Sequence, residues 1–114
     1  MYKFSQKDRA CLLRIMDAIE KITDYAGHFD NADDFFDDSQ AFDAAMMNFV
    51  IIGEMVSKLS DDSIASTQYL IDWHKIKGFR NIIAHNYFGI DAEEVWQIIQ
   101  SKLEPLKRDI QTFL

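Results

Sequence analysis

The chain has 114 residues, enough for a single domain over 1–114 and too few for a second. Nearly half of its residues are apolar, 27% are charged, and four Gly and one Pro are few, which excludes a disordered or collagen-like chain and favours long regular elements. The net charge of −7 is uneven: residues 1–66 hold 13 acids and 6 bases, residues 67–114 hold 6 of each, so a general polyanion binder with a basic face is excluded.

Ser5 can cap a first helix, with Asp8 three residues on in a weak capping-box pattern. Leu12, Ile15, Met16, Ile19, Ile22 and Ala26 then recur at helical spacing, so the helix is predicted over 6–26 with Gly27 as its stop. Asn31 can cap a single turn holding Phe35 and Phe36. Asp38 or Ser39 opens a second long helix, with Phe42, Ala45, Met46, Phe49, Val50, Ile52, Gly53 and Val56 on its apolar side and an end near Leu59. That Met and Phe stripe reads as core or dimer packing rather than a cofactor site.

Asp61, Asp62 and Ser63 open a short helical piece. A third long helix starts near Asp72, with Trp73, Ile76, Phe79, Ile82 and Ile83 read as inward-facing and Gly78 read as a place for close packing or close backbone approach. It ends between His85 and Phe88, with Gly89 supplying the turn. Asp91 caps the last helix and Glu94 completes a capping box. Its stripe runs from Val95 and Trp96 through Ile99, Leu103 and Ile110 to Phe113, and Pro105 within it predicts a kink near 101–104. Nothing reads as a strand, so the expected fold is all-α, an up-and-down four-helix bundle with short extra helical turns.

The lone Cys11 offers neither an intramolecular disulfide nor a metal site by itself, which suits a reducing compartment. Met1 to Phe4 lead directly into charged residues, and Glu54 and Lys58 interrupt the longest apolar run, so a cytoplasmic protein without a membrane span is expected. His28 and His74 lack the spacing of paired metal ligands, and the acidic stretch Asp30 to Asp38 lacks the glycine and terminal glutamate of a calcium loop. No metal or cofactor is expected.

The chemistry concentrates in Phe79-Arg80-Asn81-Ile82-Ile83-Ala84-His85-Asn86-Tyr87. His74, Lys75 and Lys77 lie just upstream, so any phosphate contact is to be sought here. Residues four apart share a helix face, which makes Asn81 and His85 neighbours, and the long Arg80 side chain can reach the same patch. Tyr87 follows where the helix should end, so one polar patch gathers a guanidinium, an amide, an imidazole and a phenol. RNA carries its own nucleophile, the 2′-hydroxyl. An imidazole can move a proton to or from it near neutral pH, and a planar guanidinium matches phosphate oxygens and developing charge on phosphorus. One chain offers one such histidine, whereas cleavage wants a base and an acid, so two patches brought together in a dimer would supply both. The Arg-x4-His spacing by itself equally describes a surface helix end, with Arg80 in a salt bridge and His85 at the C-terminal dipole.

The pattern Arg80-Asn81-x-x-x-His85-x-Tyr87 resembles the Arg-x4-His-x-Tyr signature of HepT-like toxins in the HEPN superfamily. Ile51-Ile52-Gly53-Glu54 resembles that family's Ile-Gly-Glu segment. Trp73-x-x-Ile76-x-Gly78-x-Arg80 resembles its approach to the site, and Tyr87 to Asp91 followed by Val95-Trp96 its exit. Family members often have an Arg about where Met47 stands and an acid near the position of Val50, and often a Pro where Asp72 stands before the Trp. The resemblance implies a HEPN-type helical bundle acting as a homodimer, a metal-independent endoribonuclease and the toxin of a type VII-like toxin–antitoxin pair. It assigns Arg80 and His85 as catalytic, with Asn81 in support. It also implies a minimal nucleotidyltransferase antitoxin of the MntA kind that adds AMP to Tyr87. Glu54, an isolated carboxylate on an apolar face, should be paired, with Arg80 as candidate partner. The alternative is a non-catalytic companion subunit of a nucleotidyltransferase that binds nucleotide or protein.

Overall fold

A computed structural model describes all 114 residues. Seven α-helices follow one another: α1 Gln6–Ala26, α2 Ala32–Asp37, α3 Ser39–Ser57, α4 Asp61–Thr67, α5 Trp73–His85, α6 Ala92–Ser101 and α7 Leu103–Gln111. A 3-10 turn, Tyr87–Gly89, joins α5 to α6, and there is no strand. The all-α bundle expected from the periodicity is therefore present, with α2 and α4 as the short extra pieces.

Most helix starts are fixed by local chemistry. The side chains of Ser5, Asn31, Asp38, Ser60, Asp72 and Asp91 each accept a backbone N–H two or three residues on, satisfying donors that a helix start leaves unpaired. The last predicted helix is interrupted at Lys102, giving α6 and α7. Pro105 lacks the N–H that would bond back to Ser101, so the break falls where that bond is missing.

The core runs continuously from Phe4 to Phe113 and is centred on α1 and α3, with Leu12, Ile15, Ile19, Ile22, Ala45, Met46 and Ile52 all but inaccessible. α3 packs against both α1 and α5, α6 rests mainly on α2, and α7 folds back along α1. Phe4 meets Phe113 edge to face at 5.4 Å, and Arg9 donates to the backbone carbonyl of Leu114 at 3.2 Å. α5 lies almost wholly against α3, and only Trp73 and Ile83 of it are buried.

Two expectations for α5 are corrected. Ile82 is not an inward residue; it is 55% exposed, because consecutive residues on a helix point about 100° apart and Ile83 takes the inward position. Gly78 is not a point of close packing within the chain, since a Cβ there would meet nothing within 4 Å. The close approach is at Gly53 instead, where a Cβ would collide with Cβ and Cγ of Arg80. Gly27 is the residue at which α1 stops, in an ordinary right-handed conformation with its N–H on Thr23.

Candidate functional site

The start of α5 is fixed by a buried polar chain. Trp73 Nε1 donates to Thr67 Oγ1 at 2.9 Å, and Thr67 donates to the Ser63 carbonyl at 2.6 Å. Ser63 and Ser60 donate to the Asp8 carboxylate at 2.5 and 2.7 Å, and the Ser60 N–H also points to it. The Tyr2 hydroxyl lies 2.9 Å from Ser63 Oγ. Asp8 is thus not the second half of a capping box on α1 but the buried acceptor that ties α4 to α1. Burial alone would push its carboxyl up; the bonds from Ser63 and Ser60, with Lys7 nearby, outweigh it and hold the group below the usual carboxylate range.

Arg80 is set against α3. Its stem crosses α3 at Gly53, its guanidinium forms an ion pair with Glu54, and Nη1 donates to Asn81 Oδ1 at 2.7 Å. The Arg80–Glu54 pairing expected from the sequence is present, and Asn81 joins it. The Arg80 Nε–H is buried without an acceptor, so the guanidinium keeps donor capacity that this chain does not use. His85 lies on the exposed side of α5 in the same direction as Asn81, free of any side-chain hydrogen bond.

Tyr87 departs from the single patch expected. Its phenol turns back onto α3 and donates to Asp43, and both residues line an open, mostly apolar groove of about 390 Å³ together with Met46, Met47, Val50, Ile83 and Ala84. Burial of the ring, then the hydrogen bond and negative charge of Asp43, hold the phenol well above the ordinary tyrosine range. Tyr87 therefore keeps its proton at neutral pH and acts as a donor. Asp43 and Glu54 are eleven residues apart on α3, about 16 Å along a helix. Arg80 and Tyr87 are thus pinned to α3 at two well-separated points, with His85 between them in sequence.

Asp43 is the residue that sequence reasoning missed. A signal existed: Asp43, Met47, Val50 and Glu54 follow helical spacing, so the two carboxylates share the face of α3 that receives the motif helix.

An all-helical bundle carrying Arg and His at this spacing on one partly covered helix, with Tyr in the turn that follows, defines a HEPN-like helical protein. The sequence profile of the Ribonuclease HepT-like family matches residues 15–113, and the chain belongs to that family. Among named relatives it resembles two candidate RNases of Methanocaldococcus jannaschii. One is 27% identical over 106 residues, covering 93% of this chain and 86% of the relative. The other is 25% identical over 108 residues, covering 94% and 97%. A candidate RNase of Caldanaerobacter subterraneus subsp. tengcongensis is 27% identical over 82 residues, covering 72% of each chain. No solved structure is significantly similar. No helix is long and apolar enough to cross a membrane.

Proposed function

We propose that this chain is a metal-independent endoribonuclease, the toxin of a toxin–antitoxin pair, in which Arg80 and His85 carry the chemistry. The observation that supports it best is the way α5 presents its motif. Arg80 is braced by Gly53, Glu54 and Asn81, while His85 stays free to exchange a proton with RNA. Arg80 steadies charge on the phosphate, Asn81 orients the guanidinium, and His85 takes the 2′-hydroxyl proton or returns one to the leaving 5′-oxygen. General acid–base help of this kind is worth about 10²–10⁴-fold.

A homodimer supplies the second histidine. The surface suits it: Met47, which lines the apolar groove, is 58% exposed, Ile82 is 55% exposed, and Gly78 leaves open space for a close neighbour. Tyr87 is the point of control, where a nucleotidyltransferase antitoxin attaches AMP. The added phosphate places a negative charge two residues from His85 and competes with RNA.

Purified protein incubated with RNA and a chelator is expected to leave 2′,3′-cyclic phosphate ends, and His85→Ala to abolish cutting while keeping its fold. Equal cutting by both proteins would refute the assignment. The rival reading, a non-catalytic companion subunit, draws support from the Glu54 carboxylate that already neutralises Arg80. It predicts no growth arrest when the chain is expressed alone.

A further inference from the structure

The stretch after Ile83 is thinly held. From Ala84 to Glu94 no residue is fully buried; Tyr87, Ile90 and Ala92 pack only partly against the core, and the 3-10 turn has no side-chain cap. Asn86 caps α5 through its backbone only, donating to Ile82. Across residues 84–91, Asp91 caps α6, and the bond from Tyr87 to Asp43 is the one side-chain hydrogen bond that reaches α3. His85 sits inside this stretch with no polar partner of its own.

We propose that Asp43 is a positioning residue for RNA cleavage: by accepting the Tyr87 phenol it latches the end of α5 to α3 and so fixes His85. This rests on the reading of His85 as catalytic. Arg80 is fixed independently by Gly53 and Glu54, so the latch sets the imidazole relative to a guanidinium that is already in place. The phenol holds its proton throughout the neutral range, so it can donate to Asp43 in the unmodified chain.

The same bond makes the site sensitive to chemistry at the Tyr87 oxygen. A substituent there removes the only proton the phenol can donate. A phosphate-bearing substituent also sets an anion beside the Asp43 carboxylate. Substitution at Tyr87 thus unlatches the His85 segment as well as crowding the RNA site. An inhibitor acting by crowding alone would leave the bare phenol with no part in catalysis.

Steady-state cleavage of an RNA oligonucleotide separates these cases in wild type, Asp43→Ala, Asp43→Asn, Tyr87→Phe, the Asp43→Ala/Tyr87→Phe double variant and His85→Ala. Asp43→Ala and Tyr87→Phe are each expected to lose roughly ten- to a hundredfold in kcat with KM little changed, the scale of a misplaced catalytic group. The double variant should lose no more than either alone, because both remove one bond. Asp43→Asn keeps an acceptor oxygen and should recover most of the activity. Circular dichroism and thermal melts check that each variant is folded. Folded Asp43→Ala and Tyr87→Phe cleaving at the wild-type rate, or losses that multiply in the double variant, would overturn the latch while leaving His85 catalytic. Wild type that fails to cleave, or His85→Ala that cleaves as well, would overturn the ribonuclease reading and the latch with it.

Discussion

Gly53→Ala isolates what the α3–α5 crossing contributes. A Cβ at this position collides with Cβ and Cγ of Arg80 and stands 3.3 Å from its Cδ. These atoms are the root of the side chain, close to the α5 backbone, so no change of rotamer far out on Arg80 relieves the clash. α5 must move outward by roughly 1.5 Å to restore carbon contacts of about 3.5–4.0 Å. Overpacking of this kind costs about 1–3 kcal/mol. Replacing a helical glycine by alanine returns about 1 kcal/mol. The net loss of stability is therefore small, about 0–2 kcal/mol. The loss of cleavage should be large, on the order of a hundredfold in kcat, because a shift near 1 Å displaces the guanidinium from the phosphate. Urea unfolding followed by the fluorescence of Trp73 and Trp96 gives the first quantity, and RNA cleavage by the folded protein the second. A variant about 1 kcal/mol more stable than wild type and equally active would show that α5 does not press on Gly53, and the reasoning would fail.

Gly78→Ala provides the contrast: open space at its Cβ predicts a gain of up to about 1 kcal/mol in the isolated chain, read by urea unfolding at low protein concentration. If a second copy packs there, the same variant weakens the dimer in sedimentation equilibrium. Asp8→Ala orphans the Ser60 N–H and strips the serine hydroxyls of their charged acceptor, with an expected loss of about 2–3 kcal/mol in urea unfolding at pH 7. Because the folded carboxyl titrates below its ordinary value, its contribution is complete above the usual carboxylate range and disappears as the pH falls through the folded pKa. Wild-type stability should therefore drop on acidification below about pH 4, and the part of that slope due to Asp8 should be missing from Asp8→Ala. Met47→Glu and Ile82→Glu place charges on exposed apolar positions; each should leave the melting temperature nearly unchanged and shift light scattering from dimer to monomer, whereas a wild-type monomer would count against the assembly.

Interactions within one helical turn were open to sequence reasoning. Cap residues such as Asn31, Asp72 and Asp91 act on N–H groups two or three positions away, so the chain spells out those boundaries. The Glu54–Arg80 pair could also be anticipated, because a lone carboxylate on an apolar face demands a cation. Contacts set by how helices cross were not legible. Ile82 and Ile83 are equally apolar, and only the rotation of α5 against α3 decides which is covered. Gly53 and Gly78 look alike in sequence, yet one receives the stem of Arg80 and the other faces open space. The capping-box spacing of Asp8 was half realised: its N–H goes to Ser5, while its carboxylate is captured by residues more than fifty positions away. Closeness along the chain puts Tyr87 in one patch with Arg80, whereas Asp43 draws it to a different part of α3.

The aromatic contact of Phe4 with Phe113, and the bond from Arg9 to Leu114, bring the first and last residues of this chain to one corner of the molecule. An engineer can splice them with a short linker and reopen the polypeptide within residues 27–31, between two helices, without cutting any of the seven. In such a permuted protein the acidic segment becomes the leader, while the helix that carries the arginine and histidine still follows the helix that braces it.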